Sequence, residues 1–274
     1  MIRVHAVALR SGLDREANAA AARTAVLRAA DDGAALVVLP EYAAAFDPRG
    51  VSPDQAEPLD GTFVTALAEV AERTGAVVVA GTVLPGARPE RAVNAVVAVG
   101  PAGVLGTYRK VHLYDAFGHR ESERLEAGDP AAPPLVVPVG DLRVGVMTCY
   151  DLRFPEAARR LVDAGATVLA VPAAWAAGEH KADHWATLLR ARAIESTAYV
   201  LGATQQGRGV VGGPAVVDPQ GVVLDGRPDA GADGPERAVA DVDAATVEAV
   251  RERNPSLVNR RYRVLPGGPG LDMG

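Results

Sequence analysis

A thiol, a carboxylate and an ammonium group close three apolar runs of this sequence, and together they could do acyl chemistry. Cys149, the sole cysteine, stands where the run Leu142 to Thr148 gives way to a polar turn and then, through Pro155, to the start of a helix. A nucleophile at a strand-to-helix junction projects beyond the carboxyl end of a sheet. Free backbone N–H groups and a helix N-terminus there can lower a thiol pKa and hold a developing oxyanion. The competing reading is a free cysteine used as a small buried hydrophobe. Glu41 follows the apolar run Ala34 to Pro40, Lys110 follows Val104 to Tyr108, and Glu121 lies in the polar segment beyond it. Taken singly, Glu41 reads as a solvated strand-end carboxylate and Lys110 as a surface charge. Ligands of open α/β sheets, however, bind beyond the carboxyl ends of strands. At such a place the carboxylate takes the thiol proton, the cysteine attacks a carbonyl, and the lysine with a backbone N–H stabilises the oxyanion.

Other patterns carry less. Gly207 to Gly212 has the glycine spacing of a dinucleotide fingerprint, but Gly213-Pro214 and a strand follow it instead of a helix. His180 and His184 lie one helical turn apart, with no Glu after His180 and no evident third ligand for zinc. Ser11, Ser122 and Ser196 lack the setting of a nucleophile elbow. No metal and no cofactor is expected.

The elements that must position the reactive groups alternate. Arg3 to Leu9 reads as a strand, Asp14 to Gly33 as a helix capped by Asp14, and Ala34 to Pro40 as a strand buried on both faces. A helix over Asp60 to Gly75 leads into a strand over Ala76 to Leu84, the rhythm of parallel α/β proteins. Arg91 to Gly100 and Val104 to Tyr108 then form a hairpin around Pro101-Ala102-Gly103. Arg109 to Pro134 is a long polar loop, the kind that carries function. Strands over Leu135 to Val139 and Leu142 to Thr148 precede the cysteine turn, and a helix from Arg153 to Ala164 follows it. Next come a strand over Thr167 to Pro172, a loop from Ala173 to Gly178 that offers Trp175 to a substrate, a helix over His180 to Glu195 and a strand over Ala198 to Gln205. A hairpin around Pro219-Gln220-Gly221, a strand over Arg237 to Asp241 and a helix over Asp243 to Arg253 complete the series. No linker interrupts it, so residues 1–274 are expected to form one domain, with 254–274 as a Pro/Gly-rich C-terminal tail.

Composition bounds the partners. Hydrophobic residues make up 49% but aromatic residues only 4%, so the core must be built from Ala, Val and Leu. A net charge of −6 with interspersed signs leaves no basic face for nucleic acid or an anionic membrane. The opening stretch is too short and interrupted for a signal peptide or a membrane span, and one cysteine forms no internal disulfide framework. A cytoplasmic protein acting on a small molecule is the expectation.

Pro40-Glu41-Tyr42, Tyr108-Arg109-Lys110-Val111-His112-Leu113 and Cys149-Tyr150-Asp151-Leu152-Arg153-Phe154-Pro155-Glu156 occur in order. With them the chain resembles the nitrilase, or carbon–nitrogen hydrolase, superfamily. The resemblance runs from about residue 2 to 263 and includes His184-Trp185, Arg190 to Glu195 and Asp218-Pro219-Gln220-Gly221. It implies an α/β fold, a four-layer α-β-β-α sandwich with two mixed sheets, and association as a homodimer or larger even homo-oligomer. It also implies Glu41 as general base, Lys110 as oxyanion stabiliser, Cys149 as nucleophile, Tyr150 as backbone donor, and Glu121 as a second glutamate positioning substrate or lysine. Glu123 competes with Glu121 for that role. Within the superfamily, the sequence around His112 and Cys149 looks most like the omega-amidase and deaminated-glutathione-amidase branch, which hydrolyses amides of small carboxylate-bearing molecules. N-carbamoyl-amide hydrolases and nitrilases use the same triad, and a non-catalytic scaffold of the same fold is a further alternative; Tyr150-Asp151 departs from the Cys-Trp-Glu of nitrilase-type relatives. Gly213-Pro214 replaces a polar pair frequent in relatives. Arg153, four residues after Cys149, either reads a substrate carboxylate or braces the turn through Asp151 or Glu156.

Overall fold

A computed structural model describes residues 1–266. The part of the expected C-terminal tail over 267–274 lies outside the described residues. The chain forms a mixed α/β fold whose elements run β1 (Ile2–Leu9), α1 (Arg15–Asp31), β2 (Leu36–Val38), α2 (Thr62–Thr74), β3 (Val77–Pro85), β4 (Ala92–Gly100), β5 (Gly103–Arg109), β6 (Val136–Val139) and β7 (Leu142–Val146). They continue as α3 (Pro155–Asp163), β8 (Val168–Ala173), α4 (Lys181–Ser196), β9 (Tyr199–Gln205), β10 (Ala215–Val217), β11 (Val223–Gly226), β12 (Arg237–Val242) and α5 (Ala244–Arg253). Local chemistry sets the boundaries. The Asp14 side chain accepts a hydrogen bond from Ala17 N–H at the start of α1, Asp243 does the same for α5, and Gly75 ends α2 in the left-handed conformation.

A hydrogen-bonded path orders the strands β5-β4-β3-β2-β1-β9-β8-β7-β6, with β12 added on β1, and β10 and β11 on β9. Its middle join, β1 to β9, spans only the parallel pairs Ala8–Thr204 and Leu9–Gln205. Alternation along each strand then decides what it packs against. Val4, Ala6, Leu36, Val38, Val77 and Val79 meet Val144, Val146, Val168, Ala170 and Leu201 in one core. Their neighbours of opposite parity, including Val37, Leu39, Val78 and Ala80, pack beneath α1 and α2. On the other half Leu169, Val171 and Val200 pack beneath α3 and α4. The strands β2, β3, β4, β8 and β9 show two apolar faces because both are covered, which is why they read in the sequence as continuous apolar runs.

This topology gathers the reactive groups. The strands β1, β2 and β3 are mutually parallel, as are β7, β8 and β9, and the parallel β1–β9 join aligns the two sets. Two antiparallel steps, β3 to β4 and β4 to β5, return β5 to the direction of β3. The carboxyl ends of β2, β5, β7 and β8 therefore open on one end of the molecule.

The helix expected to start at Arg153 begins at Pro155 instead. Cys149 to Arg153 form a tight 3-10 turn, and Phe154 is extended at φ −108° and ψ 98°. The residue before a proline is barred from helical backbone, so the turn cannot run on into α3. The strand expected over Ala34 to Pro40 pairs only at Leu36 to Val38, and another 3-10 turn, Glu121–Glu123, interrupts the long loop.

Candidate active site

Glu41, Lys110 and Glu121 form one buried ion cluster. Lys110 Nζ donates to Glu41 Oε1 at 3.0 Å and to Glu121 Oε2 at 2.8 Å, and both Lys110 and Glu41 are about 1% exposed. Burial alone would lower the Lys110 ammonium, but the Glu121 and Glu41 carboxylates outweigh it and hold its pKa well above the ordinary lysine range. Lys110 is thus a fixed cation and not a base. Glu41 is pinned further by Asn94 Nδ2 at 2.7 Å to Oε1 and by the Ala174 N–H at 2.8 Å to Oε2. Glu121 accepts from the Tyr42 hydroxyl at 2.9 Å and the Tyr114 N–H at 2.7 Å. Of the two competing glutamates, Glu121 is the one bonded to the lysine.

Cys149 faces the same cavity, a space of about 490 Å³ also lined by Glu41, Lys110, Glu121, Tyr150, Arg153 and Trp175. Its backbone takes φ 46°, and Tyr42, next to Glu41, takes φ 57°. Left-handed backbone at residues with side chains costs energy and persists where surrounding contacts over-determine it. Asp151 supplies those contacts at the cysteine turn. Fully buried, it accepts from the Tyr108 hydroxyl at 2.7 Å and the Thr148 N–H at 2.9 Å, and its Oδ1 lies 2.7 Å from His112 Nδ1. Tyr108 and His112 flank Lys110, so one carboxylate ties the lysine strand to the nucleophile turn. His112 also stacks flat on Phe154, with centroids 3.7 Å apart.

The expectation of a thiol with a lowered pKa is corrected. Burial pushes Cys149 well above the ordinary thiol range, and the Glu41 carboxylate adds to that shift against the opposing Lys110 ammonium. The resting group is a neutral thiol beside a carboxylate, an arrangement that calls for proton removal as the sulfur attacks.

Arg153 pairs with neither Asp151 nor Glu156. One terminal nitrogen lies 3.2 Å from His184 Nδ1, the guanidinium carbon stands 5.0 Å over the Trp175 ring, and Nε is buried with no partner. Trp175 is buried in the cavity wall, its indole N–H donating to the Lys181 carbonyl at 2.8 Å. Tyr150 packs edge-on against Tyr114 and Phe154. The glycine-rich segment is a loop without a following helix, and Gly209 and Val210 reach the cavity edge.

Two contributors escaped the sequence reading, Asn94 and Lys181, and so did the bonds of Asp151 to the lysine strand. Asn94 is the one polar side chain inside the apolar run of β4, a signal that was available. Lys181, at the first position of α4, puts a cation where the helix dipole disfavours it, which is also a legible anomaly. Asp151 stands three residues after Thr148, a capping-box spacing that was legible, but its bonds to Tyr108 and His112, about 40 residues away in sequence, had no local signal.

The chain matches the family model described as carbon-nitrogen hydrolase over residues 3–252. The deaminated glutathione amidase of Escherichia coli O157:H7 is 37% identical over 249 residues, which cover 90% of this chain and 92% of that protein. Among solved structures, the Caenorhabditis elegans NitFhit protein aligns with a TM-score of 0.83 and 30% identity, over 96% of this chain and 66% of that one. A variant of the amidase from Nesterenkonia sp. AN1, in which acrylamide has undergone Michael addition at the active-site cysteine, aligns at a TM-score of 0.75 and 27% identity. That alignment covers 93% of this chain and 99% of the other. By family-model match and by identity over nearly its whole length, the chain belongs to the carbon–nitrogen hydrolase family of enzymes.

Proposed function

We propose that this protein is an amidase that hydrolyses the amide of a small carboxylate-bearing molecule through a Cys149 thioester, releasing ammonia. The observation that carries the reading is the Lys110 ammonium clamped between Glu41 and Glu121 in the cavity that holds the only thiol. Glu41 takes the Sγ proton as the sulfur attacks the amide carbonyl. The carbonyl oxygen, now an oxyanion, is met by Lys110 Nζ and the Tyr150 backbone N–H. Protonated Glu41 then gives its proton to the amine nitrogen, the C–N bond breaks, and ammonia leaves an acyl thioester. Water, deprotonated by the same carboxylate, attacks the thioester carbonyl; the C–S bond breaks, the thiol recovers its proton and the carboxylic acid departs. Glu121 holds Lys110 in place throughout, and Arg153 and Trp175 form the wall against which the acyl chain rests.

The same proposal extends to the whole chain. We read residues 1–274 as one carbon–nitrogen hydrolase domain of four layers, α1 and α2 outside one six-stranded group and α3 and α4 outside the other. It acts in the cytoplasm as a homodimer or larger even assembly. The shared core between the two strand groups supports the layering, and among the described residues no helix is long and apolar enough to cross a membrane.

The direct test is ammonia release from a panel of ω-amides by the wild-type protein and by Cys149→Ala. The expected outcome is turnover by the first, none by the second, and a mass increase equal to the acyl group on the wild-type chain after rapid acid quench. Undiminished release by Cys149→Ala would falsify the proposal.

A further inference from the structure

Lys181 is a buried cation with no counter-ion among the described residues. It opens α4 directly after His180, whose backbone is left-handed at φ 57°, and only 5% of its surface is exposed. Its Nζ donates to the Tyr114 hydroxyl at 2.9 Å and lies 3.7 Å from the Phe117 ring centroid. Both partners are neutral. The same nitrogen stands 5.9 Å from the Trp175 ring, over which Arg153 is stacked at 5.0 Å, so the two cations share one aromatic wall. Arg153 leans on His184 through one nitrogen and keeps Nε buried without a partner. Among the described residues neither cation contacts a carboxylate, whereas Lys110, deeper in the same cavity, has two. Burial lowers the Lys181 pKa, and the neighbouring Arg153 charge lowers it further.

A buried cation beside a half-buried one, neither of them paired with a carboxylate, is costly, and a bound anion would relieve the cost. Lys181 and Arg153 line the same cavity as Cys149, so a small molecule held by the pair lies in the space that the thiol faces. We propose that Lys181 and Arg153 form an anion subsite that binds the carboxylate of the amide substrate, with Lys181 the residue that selects for it. The inference rests on the amidase reading and deepens it: the substrate is an amide with an anionic carboxylate at the Trp175 wall. That carboxylate can belong to the acyl part, as in the monoamide of a dicarboxylic acid, where ammonia leaves, or to the amine part, as in an N-acyl amino acid, where the amino acid leaves in place of ammonia. Lys181 is also suited to a purely mechanical role, holding the loop of Tyr114 and Phe117 against α4, and the test separates the two.

The experiment compares wild type, Lys181→Met and Lys181→Arg on glutaric acid monoamide, neutral pentanamide and N-pentanoylglycine. In Lys181→Met the ratio of kcat/KM for the charged over the neutral amide is expected to fall by about 30-fold or more, the low end for losing one partner of a buried charge pair. The loss should appear in KM, and Lys181→Arg should restore most of it. Whichever charged amide shows the fall tells which side of the scissile bond bears the carboxylate. An equal loss on charged and neutral amides, the result expected of a mechanical latch, overturns the subsite. A second measurement is independent of turnover. Glutarate binding by calorimetry to Cys149→Ala and to Cys149→Ala/Lys181→Met should differ by a similar factor. Equal affinities, or no binding to either, overturn the subsite; failure of the wild type to hydrolyse any amide, with the difference in glutarate affinity intact, overturns only the amidase reading.

Discussion

Glu41 sits between a cation and a thiol, and its charge has opposite consequences for them. It helps raise the Lys110 pKa and also helps raise that of Cys149, so the resting cluster holds a protonated lysine and a protonated thiol. The sign of a substitution follows. Glu41→Gln removes an anion that disfavours thiolate and leaves Lys110 less neutralised, and both changes lower the thiol pKa. Alkylation by iodoacetamide, followed against pH, should show an inflection above the ordinary cysteine range in the wild type and a lower one in Glu41→Gln. Turnover should fall by about 10²–10⁴-fold in the same variant, the usual loss for a general base. A more reactive thiol in a less active enzyme is the signature of a base that acts during attack. If the inflection rises or stays fixed, Glu41 does not set the thiol's protonation.

At the scale of elements, the reactive residues are held by strand ends that approach one another through glycine. Gly81 on β3 faces the turn after β2, where a Cβ would stand 2.5 Å from Glu41 Cα and 2.5 Å from Tyr42 N. Only a residue without a side chain lets β3 carry the turn at this distance, with the Gly81 N–H donating to the Pro40 carbonyl. Gly81→Ala should displace the Glu41 backbone. The expected result is a fall in kcat of about 10²-fold, the scale of a 1 Å misplacement of catalytic groups, with a stability loss of about 1–3 kcal/mol from overpacking. Circular dichroism and thermal melting would establish that the variant is folded, and wild-type kcat in a folded variant would show that the close approach does not position Glu41.

Taken whole, the molecule exposes few large apolar side chains near its second helical face. Ile194 on α4 is 47% exposed and Val222 is 55% exposed, and Ile194 lies against the turn at Gly221 that precedes Val222. Grouped apolar exposure of this kind suits a self-complementary contact between copies. Light scattering at micromolar concentration should give twice the chain mass or a larger even multiple, and Ile194→Asp should shift the equilibrium toward the single chain. A wild-type protein that runs as a monomer would remove the assembly from the proposal.

By itself, the sequence determined the order of elements and singled out Glu41, Lys110, Glu121 and Cys149, which the fold brings to one cavity. Period-2 and period-3.6 patterns are local, and so are caps such as Asp14 and Gly75, which is why most predicted boundaries fall within a few residues of those observed. The motif segments around Glu41, Lys110 and Cys149 were legible because each is contiguous. Tertiary structure decided what no contiguous stretch encodes. Asn94 and the Ala174 N–H reach Glu41 across 53 and 133 residues, and Asp151 joins two strands by bonds that form only when β5 and β7 end at the same place. The thiol's protonation state depends on burial and on a carboxylate 108 positions away, so a local reading of strand-to-helix geometry gave the wrong sign. Whether Lys181 and Arg153 have counter-ions is likewise a question of which side chains the folded chain leaves out of reach, because Coulomb interactions depend on distance in space and burial and not on position along the chain.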